Sequence, residues 1–293
     1  MSRVKGIFSA AATAMLVLLS TAAPAVANAP AGHPSSVVEA NKAMVTFFYD
    51  QLFNEGNLSV IDTHVGPVYI QHNPGLADGA EPLRALVVGL RTRFPDGHHT
   101  IVRVTGQGDL VTLYHHTVLV PGTTGTAIME VFRVSKGKII EHWDVIQPVP
   151  ATTASGNDMF ATLSPSGDRS TLRNELIVLS FYARLTAKHD PRAVDRFVSP
   201  SLIQHDPALP NGSAAVKAAF TARLQANPEL TFSSLQVIAD HDLVSLRYHV
   251  QNSPTDLGQA VNDVYRVSHG KIVEHWSVTQ NVPATSANDN TMF

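Results

Sequence analysis

The sequence predicts an α+β protein of two tandem domains, each with about three helices packed on a four-stranded antiparallel sheet. Three observations carry this. An offset of 133 residues aligns the two halves: "YIQHNPGL" (69–76) matches "LIQHDPAL" (202–209) at five of eight positions, and "VFRVSKGKIIEHW" (131–143) returns as "VYRVSHGKIVEHW" (264–276) with ten of thirteen residues kept. Helical spacing of apolar residues opens each half. Four β-type runs, separated by turn signals, close it.

The elements follow in order. Val37, Val38, Met44, Val45, Phe48 and Leu52 recur at helical spacing, and the copy of this helix runs over 172–185. "NEGN" (54–57) and "AKHDP" (187–191) break these helices, and short helical pieces follow at 58–64 and 191–197. A short strand then runs into QH[ND]P, where proline stops the ladder. Further helices cover 80–94 and 212–226, with Asp78 and Asn211 near their starts as N-cap candidates. In the first half the β-runs fall at 99–106, 110–120, 126–135 and 138–147, separated by "GQGD", "PGTTG" and "SKGK". The tail "QPVPATTASGNDMF" (147–160) returns as "QNVPATSANDNTMF" (280–293), so each tail is expected to dock back on its own domain through Met and Phe.

Composition narrows the function. The net charge is -3 with no basic patch, which gives nucleic-acid binding no electrostatic footprint. There is no cysteine, hence no disulfide and no thiolate nucleophile or metal ligand. Residues 1–27 read as a secretory signal peptide: Arg3 and Lys5, an apolar run from Ile7 to Leu19, then Ala25-Val26-Ala27 as a cleavage site. A secreted or periplasmic location is expected, with no membrane association after cleavage. The resulting layout is a signal peptide at 1–27, domain 1 at 34–150, a linker with the NDMF tail at 151–168, domain 2 at 169–283 and a C-terminal tail at 284–293.

"YIQHNP" with the following "DG", the strand "VTLYHH", and "GKIIEHWDVIQPVP" with "NDMF" resemble the SnoaL-like proteins of the nuclear transport factor two-like superfamily. These are described as polyketide cyclases or aldol-condensation enzymes. The resemblance covers nearly all of 36–160 and, more weakly, 170–293. It implies a cone-like fold on a strongly curved sheet, no cofactor, and a small apolar or aromatic, polyketide-like ligand. The same fold hosts isomerases, dehydratases, hydrolases and plain ligand binders, so it does not by itself fix a reaction.

Strand pairing nominates the pocket. With Lys136-Gly137 as a two-residue turn, Glu130 faces Trp143. With "PGTTG" symmetric about Thr123, His116 faces Glu130. His116, Glu130 and Trp143 then form a row on one face, repeated as His249, Asp263 and Trp276. His116 with Glu130 reads as a general base and its orienter, and His72 (His205 in the copy) as a group polarising a carbonyl. Trp143, Tyr114 and Phe132 read as a substrate wall, and Gln147 (Gln280 in the copy) as a polar anchor. Asp144 is the acid the resemblance points to, but alternation puts it on the outer face with Ser277, unless a bulge shifts the strand. Structural readings stand beside these: a hydrogen-bonded His116–Glu130 pair, a core tryptophan, and a histidine bonded into the QH[ND]P turn. No motif with metal-ligand spacing appears, and no metal or cofactor is expected.

Two functions fit. One is a cofactor-independent cyclase, isomerase or lyase moving a proton next to a carbonyl. The other is a non-catalytic exported module that binds a hydrophobic small molecule. The two domains are expected to pair as an intramolecular dimer through their outer sheet faces, with further homo-oligomers open.

Overall fold

The helical spacing of Val45, Phe48, Tyr49 and Leu52 places four buried side chains on one stripe of α1 (Pro34–Phe53). A computed structural model describes residues 34–161 and 167–293; the signal-peptide expectation at 1–27 and the linker residues 162–166 lie outside these. The first half continues with α2 (Ser59–His64), β1 (Val65–Gln71), α3 (Ala80–Arg93), β2 (His98–Gln107), β3 (Leu110–Val118), β4 (Thr126–Ser135) and β5 (Lys138–Pro148). The second half repeats it as α4 (Thr171–Thr186), α5 (Ala193–Phe197), β6 (Val198–Gln204), α6 (Ser213–Ala226), β7 (Thr231–Asp240), β8 (Leu243–Gln251), β9 (Gln259–Ser268) and β10 (Lys271–Asn281). The α+β class and the tandem arrangement stand as predicted. No helix among the described residues is long and apolar enough to cross a membrane.

Each sheet has five strands rather than four, in the order β1-β5-β4-β3-β2 and β6-β10-β9-β8-β7. The added member is the strand leading into QH[ND]P, which pairs parallel to the last strand of its own domain. Pro67 sits in the irregular stretch between the paired residues Val65 and Ile70, where a missing N–H breaks no ladder bond. Asp78 and Asn211 do not cap the following helices. Their carboxyl and amide oxygens accept from the backbone N–H of Gln71 and Gln204, tying each loop to its strand.

Two local features decide which side chains face which way. Lys136 and Gly137 both have positive φ, a two-residue hairpin turn as expected, and Ser135↔Lys138 and Val134↔Ile139 pair as expected. The ladder then skips Ile140, so that Arg133 pairs with Glu141 and Glu130 pairs with Asp144. This bulge turns the rest of β5 over. Domain 2 skips Val273 in the same way. At the other end of β4, the loop turns on Pro121-Gly122, closed by Thr123 N–H donating to Val120 O at 3.2 Å, not on Thr123. Leu113, not His116, therefore faces Glu130.

The sheets are buried on both sides. Their concave faces pack on the helices around Phe48, Leu52 and Leu113 in domain 1 and Val178, Phe181 and Leu246 in domain 2. Their convex faces meet each other in a shared core that includes Tyr114, Met129 and Val145 with Val264, Trp276 and Val278. Gln147 and Gln280 bond reciprocally across this seam, each amide oxygen accepting from the other domain's backbone: Thr279 N–H and Ile146 N–H, both at 2.8 Å.

The tails do not simply dock on their own domains. Phe160 stacks on His116 and Phe293 on His249, each in its own domain. The residues before them cross over. Asn157 donates to Gln204 O and Asn211 Oδ1 of domain 2, while Asn290 donates to Gln71 O and Asp78 Oδ1 of domain 1. Each tail thus pins the QH[ND]P loop of the opposite domain. Asn157→Ala and Asn290→Ala are each expected to lower stability by about 1–3 kcal/mol, because each removes two hydrogen bonds that hold the opposite loop. Urea denaturation checks this; unchanged midpoints would mean the crossed tails do not hold the loops.

Candidate functional site

Each domain encloses a cavity of about 310 Å³ between its concave sheet face and its helices. In domain 1 the odd consequence of the Ile140 bulge is that His142, Asp144 and Ile146 line the cavity, beside Ile128, Glu130 and Phe132 from β4. Phe48 and Tyr49 come from α1, Tyr69, Gln71 and Asn73 from β1 and its loop, and Leu83, Leu86 and Leu90 from α3. The wall is mostly apolar, with its polar groups gathered at one end.

Glu130 is the hub of that end. Its Oε1 accepts from Tyr49 OH at 3.1 Å and lies 3.0 Å from His115 Nε2, and its Oε2 forms a short ion-pair contact with His142 Nε2. His142 Nδ1–H donates to Gln71 Oε1 at 2.8 Å, which leaves Nε2 aimed at Glu130. Burial pushes the Glu130 carboxyl up, but the charges and hydrogen bonds of His142 and His115 outweigh it and hold it well below the usual range. Burial lowers the His142 imidazolium, and Glu130 more than reverses this, raising it. The pair is therefore ionic. Behind it, Thr117 Oγ1 bridges His115 and His99, at 3.1 and 2.9 Å. His99 is pushed down to about 4 by burial and then by the neighbouring His115, so it stays neutral.

Asp144 differs from every other acid in the domain. Its Oδ2 accepts from Asn73 Nδ2 at 2.5 Å, and its Oδ1 is buried with no hydrogen-bond partner among the described residues. Burial first, and the facing Glu130 charge second, push its carboxyl up to about 6. The result is two adjacent carboxylates with opposed tuning: one locked ionised, one poised to exchange a proton near neutrality. Glu130, His142 and Asp144 also bring three ligand-type atoms within 4.8 Å of one another. Two of these atoms are already spent on the Glu130–His142 ion pair, so a cation would have to displace that pair to bind.

Of the sequence candidates, Glu130, Asp144 and Phe132 line the cavity, and Asp263 lines the one in domain 2. The expected row of His116, Glu130 and Trp143 does not form, because the bulge and the displaced loop turn invert its outer members. His116 points away from the cavity, and its Nε2–H donates to Thr124 O at 2.8 Å. His249 repeats this with Leu257 O. Trp143 lies on the convex face, stacked on His72 at 4.7 Å with Arg247 of the other domain 5.7 Å away. Trp276 repeats this with His205 and, at 3.8 Å, Arg103. His72 contacts Thr291 O and Glu141, and His205 contacts Asp158 O and Glu274. Tyr114 donates to Met159 O, and Gln147 and Gln280 hold the seam. These are interface residues, not substrate contacts. Alternation taken with the bulge would have found His142. Tyr49, Gln71, His99 and His115 come together only through helix-on-sheet packing and the pairing of three separate strands, which no local pattern encodes.

A family model described as SnoaL-like polyketide cyclase matches this chain twice, at residues 43–154 and 176–287. Solved structures similar to it include TsrD from Streptomyces laurentii (19% identity, 37% of this chain and 89% of that chain covered, TM-score 0.33). IdmH from Streptomyces antibioticus matches at 22% identity, over 36% of this chain and 91% of its own, with a TM-score of 0.32. An NTF2-like protein of unknown function from Mesorhizobium loti matches at 19%, over 41% and 100%, with a TM-score of 0.35. No protein of curated function matches the sequence.

The tuning of Asp144 has a thermodynamic signature. Its carboxyl rises from an ordinary 3.8 to about 6 on folding, so between these values the folded chain holds the extra proton. Stability attributable to this group therefore falls as pH rises through that window and stays lower above it. Asp144→Asn removes the cost. It is expected to be more stable than the parent by about 1–3 kcal/mol above pH ~6, with the gap closing below pH ~4. Urea denaturation at both ends of the window tests this; a less stable variant at the alkaline end would contradict it.

Proposed function

The chain belongs to the SnoaL-like polyketide cyclase family, and from that premise we propose that the domain 1 pocket performs cofactor-free proton transfer next to a carbonyl, with Asp144 as the base. The observation that supports this reading most is the Asp144 carboxylate: it lines an apolar cavity, it has one oxygen without a hydrogen-bond partner among the described residues, and its proton affinity is raised by burial and by Glu130. A base with its pKa near working pH transfers protons best. Asp144 takes a proton from the carbon beside the carbonyl. Tyr69 donates a hydrogen bond from its hydroxyl to the developing oxyanion, since burial keeps that phenol protonated and its contact with Gln71 Nε2 at 3.5 Å uses only the oxygen's acceptor side. Glu130, held ionised by His142, supplies the neighbouring negative charge that sustains the basicity of Asp144 against the smaller opposing effect of His142. Return of the proton to another atom completes an isomerisation. Attack of the enolate on a second carbonyl closes an aldol ring, and loss of a hydroxyl gives dehydration.

The apolar wall formed by Phe48, Leu83, Leu86 and Phe132 suits a small, neutral, aromatic or polyketide-like substrate. Under this reading the two domains work as an intramolecular dimer, exported through the segment at 1–27. Deuterium exchange at the carbon beside the carbonyl of 4-phenyl-2-butanone, followed by NMR, tests the chemistry. The rate is expected to rise with pH through about 6, and Asp144→Asn is expected to lower it by about 10²–10⁴-fold. Binding of the ketone without exchange would favour the binding-module reading instead.

A further inference from the structure

The second pocket looks at first like a damaged copy, because Ser277 stands where domain 1 has Asp144. The neighbouring position makes up for it. Asn73, which holds Asp144 in domain 1, is Asp206 in domain 2, and Asp206 lines that cavity. The carboxylate has moved from the strand to the loop that faces it. One Asp206 oxygen is fixed by Ala208 N–H at 2.8 Å, as Gly75 N–H fixes Asn73, so the other occupies the place of the Asn73 amide nitrogen. Asp206 is raised above its ordinary value by burial first, as Asp144 is.

The rest of the hub is retained with changed parts. Asp263 replaces Glu130 and lies 3.1 Å from His275 Nε2. Being shorter, it takes its hydrogen bonds from Tyr248 and Tyr265, at 2.8 and 2.9 Å. Tyr182, the counterpart of Tyr49, lines the cavity beside Thr186, its side-chain hydrogen-bond partner, and burial keeps its phenol protonated. The wall is also more polar. Leu90 becomes Arg223, Phe53 becomes Thr186 and Ile146 becomes Thr279. Arg223 is half-buried, donates to Asn252 Oδ1 at 3.2 Å, and makes no ion pair with a carboxylate among the described residues.

We propose that domain 2 carries an acid–base site of its own, with Asp206 in the role of Asp144 and Arg223 receiving the carboxylate of an anionic carbonyl substrate. This rests on the proton-transfer reading of domain 1. Asp206 accepts a proton from the carbon beside the carbonyl. The C–H electron pair forms the enolate double bond, the carbonyl π pair moves to oxygen, and Tyr182 donates a hydrogen bond there. The proton then returns from Asp206 to carbon, with no change of oxidation state. The two pockets thus divide substrates by charge: neutral in domain 1, anionic in domain 2.

The experiment uses the full chain carrying Asp144→Asn, so that domain 1 is silenced. The probe is 2-oxo-4-phenylbutanoate, the keto acid matched to 4-phenyl-2-butanone, with exchange at its C3 position followed by NMR in deuterated water. Adding Asp206→Asn is expected to lower exchange about 100-fold or more. Arg223→Ala is expected to raise the half-saturating concentration about tenfold or more, with a smaller effect on the maximal rate. Adding Ser277→Asp to Asp206→Asn puts the carboxylate back on the strand and is expected to restore much of the rate, which a merely structural role for Asp206 would not do. No exchange of the keto acid, or a rate within about twofold after Asp206→Asn, overturns the proposal. Asp144→Asn leaving ketone exchange intact overturns the domain 1 reading by itself, whatever the keto acid does.

Discussion

One extra residue in the last strand governs this protein. Ile140, and Val273 in the copy, stand unpaired in the ladder between β4 and β5 and between β9 and β10. Side chains alternate across a strand, so a single skipped residue exchanges its two faces. Beyond the bulge, the letters of EHWDV divide between two tasks. Histidine and Asp144 turn inward to the cavity, while Glu141, Trp143 and Val145 turn outward to the seam. Both faces of the strand are committed, which is why β4 and β9 are buried almost throughout rather than in alternation.

The seam and the pocket are coupled through the same short segments. The QHNP loop offers His72 to Trp143 on the convex side and Asn73 to Asp144 on the concave side. Asn290, from the far end of the chain, bonds the backbone oxygen of Gln71 in that loop. Gln71 in turn holds His142, the ionic partner of Glu130. The electrostatics of the domain 1 cavity therefore rest on a tail whose covalent attachment is to domain 2. Domain 2 depends on the first tail in the mirror-image way, through Asn157 and Gln204.

At the hub of each cavity, two carboxylates and one imidazole are kept while positions change. Domain 1 has Glu130, Asp144 and His142; domain 2 has Asp263, Asp206 and His275. Two carboxylates near one imidazole cannot all ionise at the same cost in a low-dielectric space, so one acid is stabilised and the other is pushed up. That asymmetry survives the relocation of an acid from strand to loop because the cavity, not the residue number, sets it.

The sequence by itself determined the duplication, the helices, the hairpin turn at Lys136-Gly137 and the family, because each is written in local spacing and in repeated residues. It also pointed to Glu130, Asp144 and Asp263. It did not determine the faces. The bulge at Ile140 and the true centre of the Pro121-Gly122 loop depend on how strands meet, and each moves a register by an odd number of residues. His116, Trp143, Gln147 and their copies therefore read as pocket residues and prove to be tail contacts or seam. Only tertiary structure brought Tyr49, Gln71, His99 and His115 around Glu130, because a helix residue and three residues of separate strands converge there through strand pairing and helix-on-sheet packing, which leaves no mark in any one segment.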